Sequence, residues 1–170
     1  MEKPEFTLPP HRDGYFKALS VELDPELNCQ AEILQTALKA WDDARGTRDM
    51  PARKDLDPIR LGPSLLPHIM LIDIQHTPGI RFRYRLIGTH ITTMLGRDST
   101  GRFWDELYDP TVCEVVSTAA RWVLENRRPV RSWGVAPVGP KDYLKWENVE
   151  LPLSSDGKCI DKIMTVCAYD

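Results

Sequence analysis

The sequence lacks a long hydrophobic run, and this absence excludes a membrane-spanning helix. A span needs about 20 consecutive, mainly apolar residues, whereas the apolar 42% of this 170-residue chain is divided among short stretches. Its first residues, Met1 to His11, contain Pro and Glu and lack the basic segment followed by an apolar one that marks a secretory signal. We therefore expect a cytoplasmic protein without a membrane span.

Cysteine and net charge are also scarce. Four cysteines are scattered without a C-x-x-C pair, at Cys29, Cys113, Cys159 and Cys167. Neither a disulfide framework nor a zinc site is predicted from such spacing. With 22 basic against 25 acidic residues, the formal net charge of −3 provides no general attraction to nucleic acid. We expect no metal site and no nucleic-acid partner.

Common catalytic motifs are missing as well. The chain has no G-x-S-x-G, no H-E-x-x-H and no Gly-rich phosphate loop. Asp73 and His90 are the polar residues that we place near a pocket mouth, and a small α+β enzyme using them is one alternative hypothesis. Asp73 also suits a cross-strand ion pair, and His90 suits a capping or surface role. We therefore predict no catalytic residues and a protein that is not an enzyme.

Three Asp-Pro pairs organise what is present, at Asp24-Pro25, Asp57-Pro58 and Asp109-Pro110. Asp accepts hydrogen bonds from the free N–H groups at a helix start, and Pro suits the first helical position. Each pair therefore predicts the beginning of a helix. The three predicted helices run from Pro25 to Arg45, from Pro58 to Leu66 and from Pro110 to Asn126.

The first predicted helix carries one apolar stripe, whose members recur at spacings of four and three: Leu27, Ala31, Leu34, Leu38 and Trp41. Such a stripe must be buried. It either packs against a sheet of its own chain or pairs with the same stripe of a second chain as a short coiled coil. The second arrangement makes these five residues a predicted homodimer interface.

Alternating apolar residues between turn signals predict five strands, at residues 68–75, 80–88, 130–138, 143–153 and 159–169. Short connections make consecutive strands antiparallel. The expected fold is α+β: a five-stranded antiparallel sheet, with short helices and one longer helix on one face and an N-terminal flanking helix. We divide the chain into an N-terminal extension (1–24), the flanking helix and connector (25–67) and a core (68–170).

The second predicted strand has two different faces. Arg81, Arg83 and Arg85 point to one side, and Phe82, Tyr84 and Leu86 point to the other, because side chains alternate along a strand. The aromatic side belongs to the core. The arginines either hold an anionic ligand or partner, or pair with Asp42, Asp43 or Asp73 beneath the N-terminal helix.

This order of elements resembles the PAS domain. The closing stretch "LPLSSDGKCIDKIMTVCAYD" is similar to the common PAS ending. The segments "MPARKDLDP", "LLPHIMLIDI", "FRYRLIGTHI" and "GRDSTGRFWDEL" resemble short stand-alone PAS proteins of alphaproteobacteria. The resemblance implies a sensory or protein-interaction domain, with residues 68–170 as the PAS core. It implies no catalytic residues.

The resemblance also makes cofactor tests possible. Haem-binding members usually take their axial His from the long helix or its neighbourhood, and Pro110 to Asn126 contains no His. The segment "NCQ" at Cys29 is superficially similar to the "NCR" of flavin-binding light sensors. In that family, however, the Cys lies in the helical middle of the domain, whereas Cys29 precedes the first predicted core strand. We predict no cofactor.

A cavity between sheet and helices remains the predicted ligand site. Its expected lining comprises Tyr84, Leu86, Met94, Trp104, Val116 and Trp133, and its ligand is a small apolar or mixed molecule. We predict a cytoplasmic sensory domain without its own output domain, acting through an unknown signalling protein. The alternatives are a ligand-free protein-interaction adaptor and the small enzyme described above.

Overall fold

The sheet is larger by one strand than expected. In this computed structural model, which describes residues 20–137 and 143–170, six strands form one sheet. The strands are β1 (Glu22–Asp24), β2 (Ile69–Gln75), β3 (Arg81–Ile87), β4 (Val130–Pro137), β5 (Tyr143–Leu153) and β6 (Lys162–Tyr169). Their order is β1-β4-β5-β6-β2-β3, and every neighbouring pair is antiparallel. The α+β class and the five predicted strands are confirmed, and β1 is the addition.

The helical elements fall before β2 and between β3 and β4. They are α1 (Glu32–Arg45), α2 (Pro58–Leu61), α3 (Thr89–Leu95), α4 (Trp104–Leu107), α5 (Pro110–Val116) and α6 (Thr118–Asn126). Two short 3₁₀ turns, Arg53–Asp55 and Leu66–His68, complete the connector. None of the helices in the described ranges is both long and apolar enough to cross a bilayer. The predicted extension up to residue 19 and the "GPKD" connection at 139–142 lie outside the described residues.

The first Asp-Pro pair forms a turn, so the predicted helix start at Pro25 is wrong. The Asp24 carboxylate accepts hydrogen bonds from the backbone N–H groups of Glu26 and Asn28, both at 2.9 Å. Leu27 then adopts a left-handed conformation with φ of 60°, which no helix tolerates. The chain straightens before α1 begins at Glu32. An Asp side chain serves such turns as well as it serves helix caps.

The other two Asp-Pro pairs begin helices as predicted. The predicted end of the second helix at Leu66 is wrong, because α2 ends at Leu61 before Gly62, which adopts a φ of 82°. Asp57 accepts from the N–H of Ile59 at 2.9 Å, and Asp109 accepts from the N–H of Val112 at 3.0 Å. The long helix expected from Pro110 to Asn126 is divided between α5 and α6. Its division has a local cause: Ser117 and Thr118 donate hydroxyl hydrogen bonds back to backbone carbonyls of α5, and such bonds bend helices.

The two faces of the sheet carry different helices. We call the face that bears Tyr84 and Glu150 the inner face, and Arg121 of α6 lies over Phe82 there, 5.7 Å from the ring. The outer face bears Asp73 and Glu147, and α1 packs against its β5 and β6 strands. These assignments follow from cross-strand registry, since directly paired residues share a face.

The predicted apolar stripe, of which Leu27 and Ala31 lie before α1, packs against the sheet of its own chain. Leu34 and Trp41 are 0% and 4% exposed, and the Trp41 indole N–H donates to the Pro152 carbonyl at 2.8 Å. Leu27, Ala31 and Leu38 are half-buried and pack against the same core. Leu34 and Trp41 therefore pack within their own chain, as the intramolecular alternative predicts, and they are not available as interface residues.

A bulge in β3 changes the predicted alternation. Leu86 pairs with Leu71 and Tyr84 pairs with Ile72, so Arg85 is an extra residue on its strand. Phe82 and Tyr84 are buried as expected, but Leu86 is 44% exposed. The prediction that Leu86 points into the core is wrong because the bulge shifts the side-chain pattern by one residue.

Candidate functional site

Aromatic rings form the part of the inner face that belongs to β3. Tyr84 and Phe82 both contact Trp104 at the start of α4, with ring centroids 5.5 and 4.8 Å apart. All three side chains are buried. Alternation on β3 places the first two on one side, and α4 adds the third. Two of the predicted lining residues, Tyr84 and Trp104, are thus brought together.

The Tyr84 hydroxyl continues into a polar chain. It lies 3.0 Å from the Tyr108 hydroxyl, which accepts a hydrogen bond from Arg97 at 3.1 Å. Burial, together with the neighbouring Tyr108, raises the pKa of Tyr84 well above its usual value. Tyr84 therefore stays neutral and acts as a hydrogen-bonding group rather than as a base.

A buried carboxyl occupies the middle of the inner face. Glu150, on β5, is only 6% exposed. Its oxygens accept hydrogen bonds from the Thr165 hydroxyl on β6 and from the Ser132 hydroxyl on β4, the latter at 3.3 Å. No Lys, Arg or His of the described chain forms an ion pair with it. Burial raises the pKa of Glu150 to about 7, against the opposing effect of these hydrogen bonds.

Three further polar atoms in this part of the molecule are buried without a hydrogen-bond partner among the described residues: Trp146 Nε1, Asn148 Oδ1 and Trp104 Nε1. The first two belong to β5 and share the inner face with Glu150. Leaving such a group unpaired costs about 1–3 kcal/mol, so these atoms mark a position where a polar group of a ligand would be stabilised. We name Ser132, Trp146, Asn148, Glu150 and Thr165 the inner polar cluster.

The remaining predicted lining residues lie elsewhere. Met94, on α3, is 37% exposed, and Leu86 is exposed as described. Val116 is half-buried at the end of α5 and packs against the core. Trp133 pairs with Glu147 and so lies on the outer face, under the Arg131 guanidinium at 4.2 Å. The structure therefore does not gather the six residues into one site.

Asp73 and His90 lie apart: Asp73 is on the outer face of the sheet, whereas His90 is on α3 beside Tyr169, whose side chain is on the inner face. Asp73, on the outer face, accepts a hydrogen bond from Arg83 at 2.7 Å, and Lys162 Nζ lies 3.4 Å away. Burial raises the pKa of Asp73, but these two cations outweigh it and hold the pKa below its usual value. His90 stacks on His68, with ring centroids 4.2 Å apart. The structure therefore does not bring Asp73 and His90 together into one site.

The arginines of β3 have separate roles. Arg81 forms two hydrogen bonds with Asp105, at 2.6 and 2.7 Å, and stacks on Phe103. Arg83 forms the cross-strand pair with Asp73. The predicted pairing is confirmed for Arg83 and Asp73, whereas Arg81 pairs with Asp105, which was not among the expected partners. Arg85, the bulged residue, is exposed.

Thiols and metal ligands add no further site to the described chain. Cys29 and Cys167 are buried, Cys113 is half-buried, Cys159 is exposed, and all four are free thiols. Within residues 20–137 and 143–170, no three His, Cys, Asp or Glu side chains come together as a metal-binding group.

The inner polar cluster was missed by sequence reasoning. A signal existed: Glu147, Asn148 and Glu150 interrupt the apolar pattern of β5. Alternation assigns the first of these to one face and the other two to the opposite face. Only the register with β4 and β6 shows that Glu150 lies opposite Thr165 and near Ser132.

Comparison with known proteins gives one result that bears on function. A family model described as the PAS domain matches residues 30–167. The match includes α1, the strands β2 to β5, and β6 as far as Cys167. No curated protein matches the chain.

Proposed function

The chain belongs to the PAS domain family, and we propose that it is a sensory domain that binds a small ligand at the inner polar cluster and acts through a protein partner. One observation carries the ligand half of this proposal. Asn148 Oδ1 and Trp146 Nε1 are buried on the inner face without a partner among the described residues, beside the uncompensated carboxyl of Glu150. Buried polar groups are normally hydrogen-bonded.

The chemistry of the cluster favours a neutral ligand that both donates and accepts hydrogen bonds. Trp146 Nε1 offers a donor, and Asn148 Oδ1 offers an acceptor. Below pH 7, a protonated Glu150 supplies an additional donor. An anionic ligand is disfavoured because Glu150 itself becomes negative above this pH and has no ion-paired cation in the described chain.

The proposed signal passes through β5. Trp146 and Asn148 belong to the inner polar cluster. Glu147, which lies between them in sequence, points to the opposite face, toward α1. The Glu147 carboxylate accepts hydrogen bonds from the N–H groups of Gln30 and Ala31, at 2.7 and 2.9 Å. A ligand that binds one position of β5 better than another shifts the population toward it. We infer that α1 follows this shift through Glu147.

Native mass spectrometry of the purified protein tests the proposal. We expect a non-covalent small molecule to accompany the wild type, to be lost in Asn148→Leu, and to be retained in the control Asn126→Leu, whose altered residue lies at the exposed end of α6. Bare protein in every sample, including after incubation with neutral metabolite extracts, would reject ligand binding and favour the adaptor.

Three earlier predictions belong to this proposal. The protein acts in the cytoplasm; residues 1–24, 25–67 and 68–170 form an extension, a flanking helix with connector, and the core; and the protein forms a homodimer. Because Leu34 and Trp41 are buried within their own chain, the dimer would have to use the half-buried members of the stripe, Leu27, Ala31 and Leu38.

A further inference from the structure

A groove of about 710 Å³ runs beside α1 on the side away from the inner polar cluster. The flank of α1 forms one wall, and the connection between α6 and β4 forms the other. Its apolar lining includes Leu27, Leu38 and Trp41. Leu27 and Leu38 are partly exposed, so their exposed apolar surface can still be buried by a binding partner.

The rim of this groove is mainly positive. Four cationic side chains line it, against the carboxylates of Asp42 and Asp49, although the whole chain has a net charge of −3. Two of the four have partners on α1: Arg45 bonds to Asp42 at 2.7 Å, and Lys39 bonds to Asp43 at 2.6 Å. The positive excess therefore belongs to the other wall.

Arg127 and Arg128 supply that excess. Arg127 donates to the Lys158 carbonyl at 2.6 Å, and Arg128 lies over the Trp122 ring at 5.3 Å. Neither guanidinium forms an ion pair with a carboxylate of the described chain. Both therefore retain donors for an incoming anion, and an Arg fork binds carboxylates in a bidentate manner.

We propose that this groove binds an acidic amphipathic segment of a signalling partner. Leucine-like side chains of the segment would cover Leu27 and Leu38, and its carboxylates would bond to Arg127 and Arg128. An apolar stripe lying in a groove, with charges set at the edge, is a general mode of peptide recognition. The inference rests on the proposed action through a partner and is independent of ligand binding at the inner polar cluster. The proposed homodimer would use the same Leu27 and Leu38 without the two arginines, so the partner segment and a second copy of the chain exclude each other.

Fluorescence anisotropy with a defined probe tests this assignment. The probe is a fluorescein-labelled, 14-residue helical peptide of repeating Leu and Glu, and its matched control has Lys in place of every Glu. Arg128→Gln is compared with Arg60→Gln, which removes the same charge from an exposed position of α2 outside the groove. We expect the Leu–Glu peptide to bind, Arg128→Gln to weaken binding at least fivefold, and Arg60→Gln to change it less than twofold.

Other results overturn the proposal. Equal binding of the Leu–Lys peptide, or equal losses in both variants, would show nonspecific attraction. A concentration-dependent dimer that is abolished by Arg128→Gln in sedimentation would assign the groove to a second copy of this chain instead. Because the native mass spectrum reports a bound small molecule, a failure of the groove is distinguishable from a failure of the sensor.

Discussion

Glu147 and Ala31 are joined by a hydrogen bond of 2.9 Å between residues 116 positions apart. The same carboxylate accepts from Gln30 and from the Arg131 side chain. Burial raises the pKa of Glu147, but Arg131 and the two backbone donors outweigh it and leave the pKa below its usual value. A sheet residue thereby fixes the two residues that lead into α1, whose N-cap residue, Ala31, makes no side-chain cap of its own.

Glu147→Ala should destabilise the fold by about 2 kcal/mol, because two N–H groups lose their acceptor and Arg131 keeps only the more distant carboxylate of Asp24, at 3.8 Å. Urea denaturation measures this change. Glu125→Ala, at an exposed position of α6, is the control and should change the free energy of unfolding by less than about 0.5 kcal/mol. Similar losses in the two variants would contradict the anchoring role of Glu147.

The stability of the protein should fall as pH rises from 4.5 to 7. Glu150 has its pKa raised from 4.5 to about 7, so the native state holds a proton in this window that the unfolded state has released. The full loss is about 3 kcal/mol by linkage and is complete above pH 7. Denaturation curves at several pH values should show this slope in the wild type, relative to Glu150→Gln. If the wild type and Glu150→Gln lost stability equally with rising pH, Glu150 would not be the group responsible.

Gly88→Ala should destabilise the protein by about 1–3 kcal/mol through overpacking. A Cβ at Gly88 would lie 2.2 Å from the Pro67 carbonyl oxygen, and backbone on both sides must move to admit it. Gly79→Ala is the matched control, because a Cβ there meets nothing within 4 Å. In thermal unfolding, Gly88→Ala should melt at a clearly lower temperature than Gly79→Ala. Equal melting temperatures would mean that the backbone near Pro67 moves to admit the new methyl group without loss of stability.

Two substitutions on α1 should have different consequences. Leu34→Glu places a charge in the core and should prevent folding, because Leu34 is 0% exposed. Leu38→Glu should leave a folded protein, with the circular dichroism of the wild type, and should convert the proposed homodimer to monomers on a sizing column. A wild type that already elutes as a monomer, or a dimer unchanged by Leu38→Glu, would reject the α1 interface.

Local rules predicted the elements well where one rule acted alone. The strand pattern around Phe82 and the caps at Asp57 and Asp109 are confirmed, because alternation and capping depend on neighbouring residues only. Asp24 failed because the same side chain can hold a turn. Leu86 failed because one bulge reverses everything after it, and local chemistry does not reveal which position will bulge.

The site was harder to predict than the fold. Tyr84 and Trp104 were predicted to line a ligand cavity, and the structure places their rings in contact. Trp133 was placed on the wrong face, because the parity of a strand is fixed only by its partners. The surroundings of Glu150 combine three strands, and no spacing within a single strand encodes that arrangement.

The short strand β1 has a consequence for self-assembly. It covers the edge of β4 and ends at Asp24, directly before Pro25. At the opposite end of the sheet, residues 101–102 exchange backbone hydrogen bonds with Tyr84 of β3, at 2.6 and 3.0 Å. Sheets polymerise when an exposed edge strand accepts a further strand. In this protein, short segments occupy both edges of the sheet and leave little room for another strand. Copies of this protein that meet should therefore do so through helices and sheet faces, and not by the addition of strand to strand.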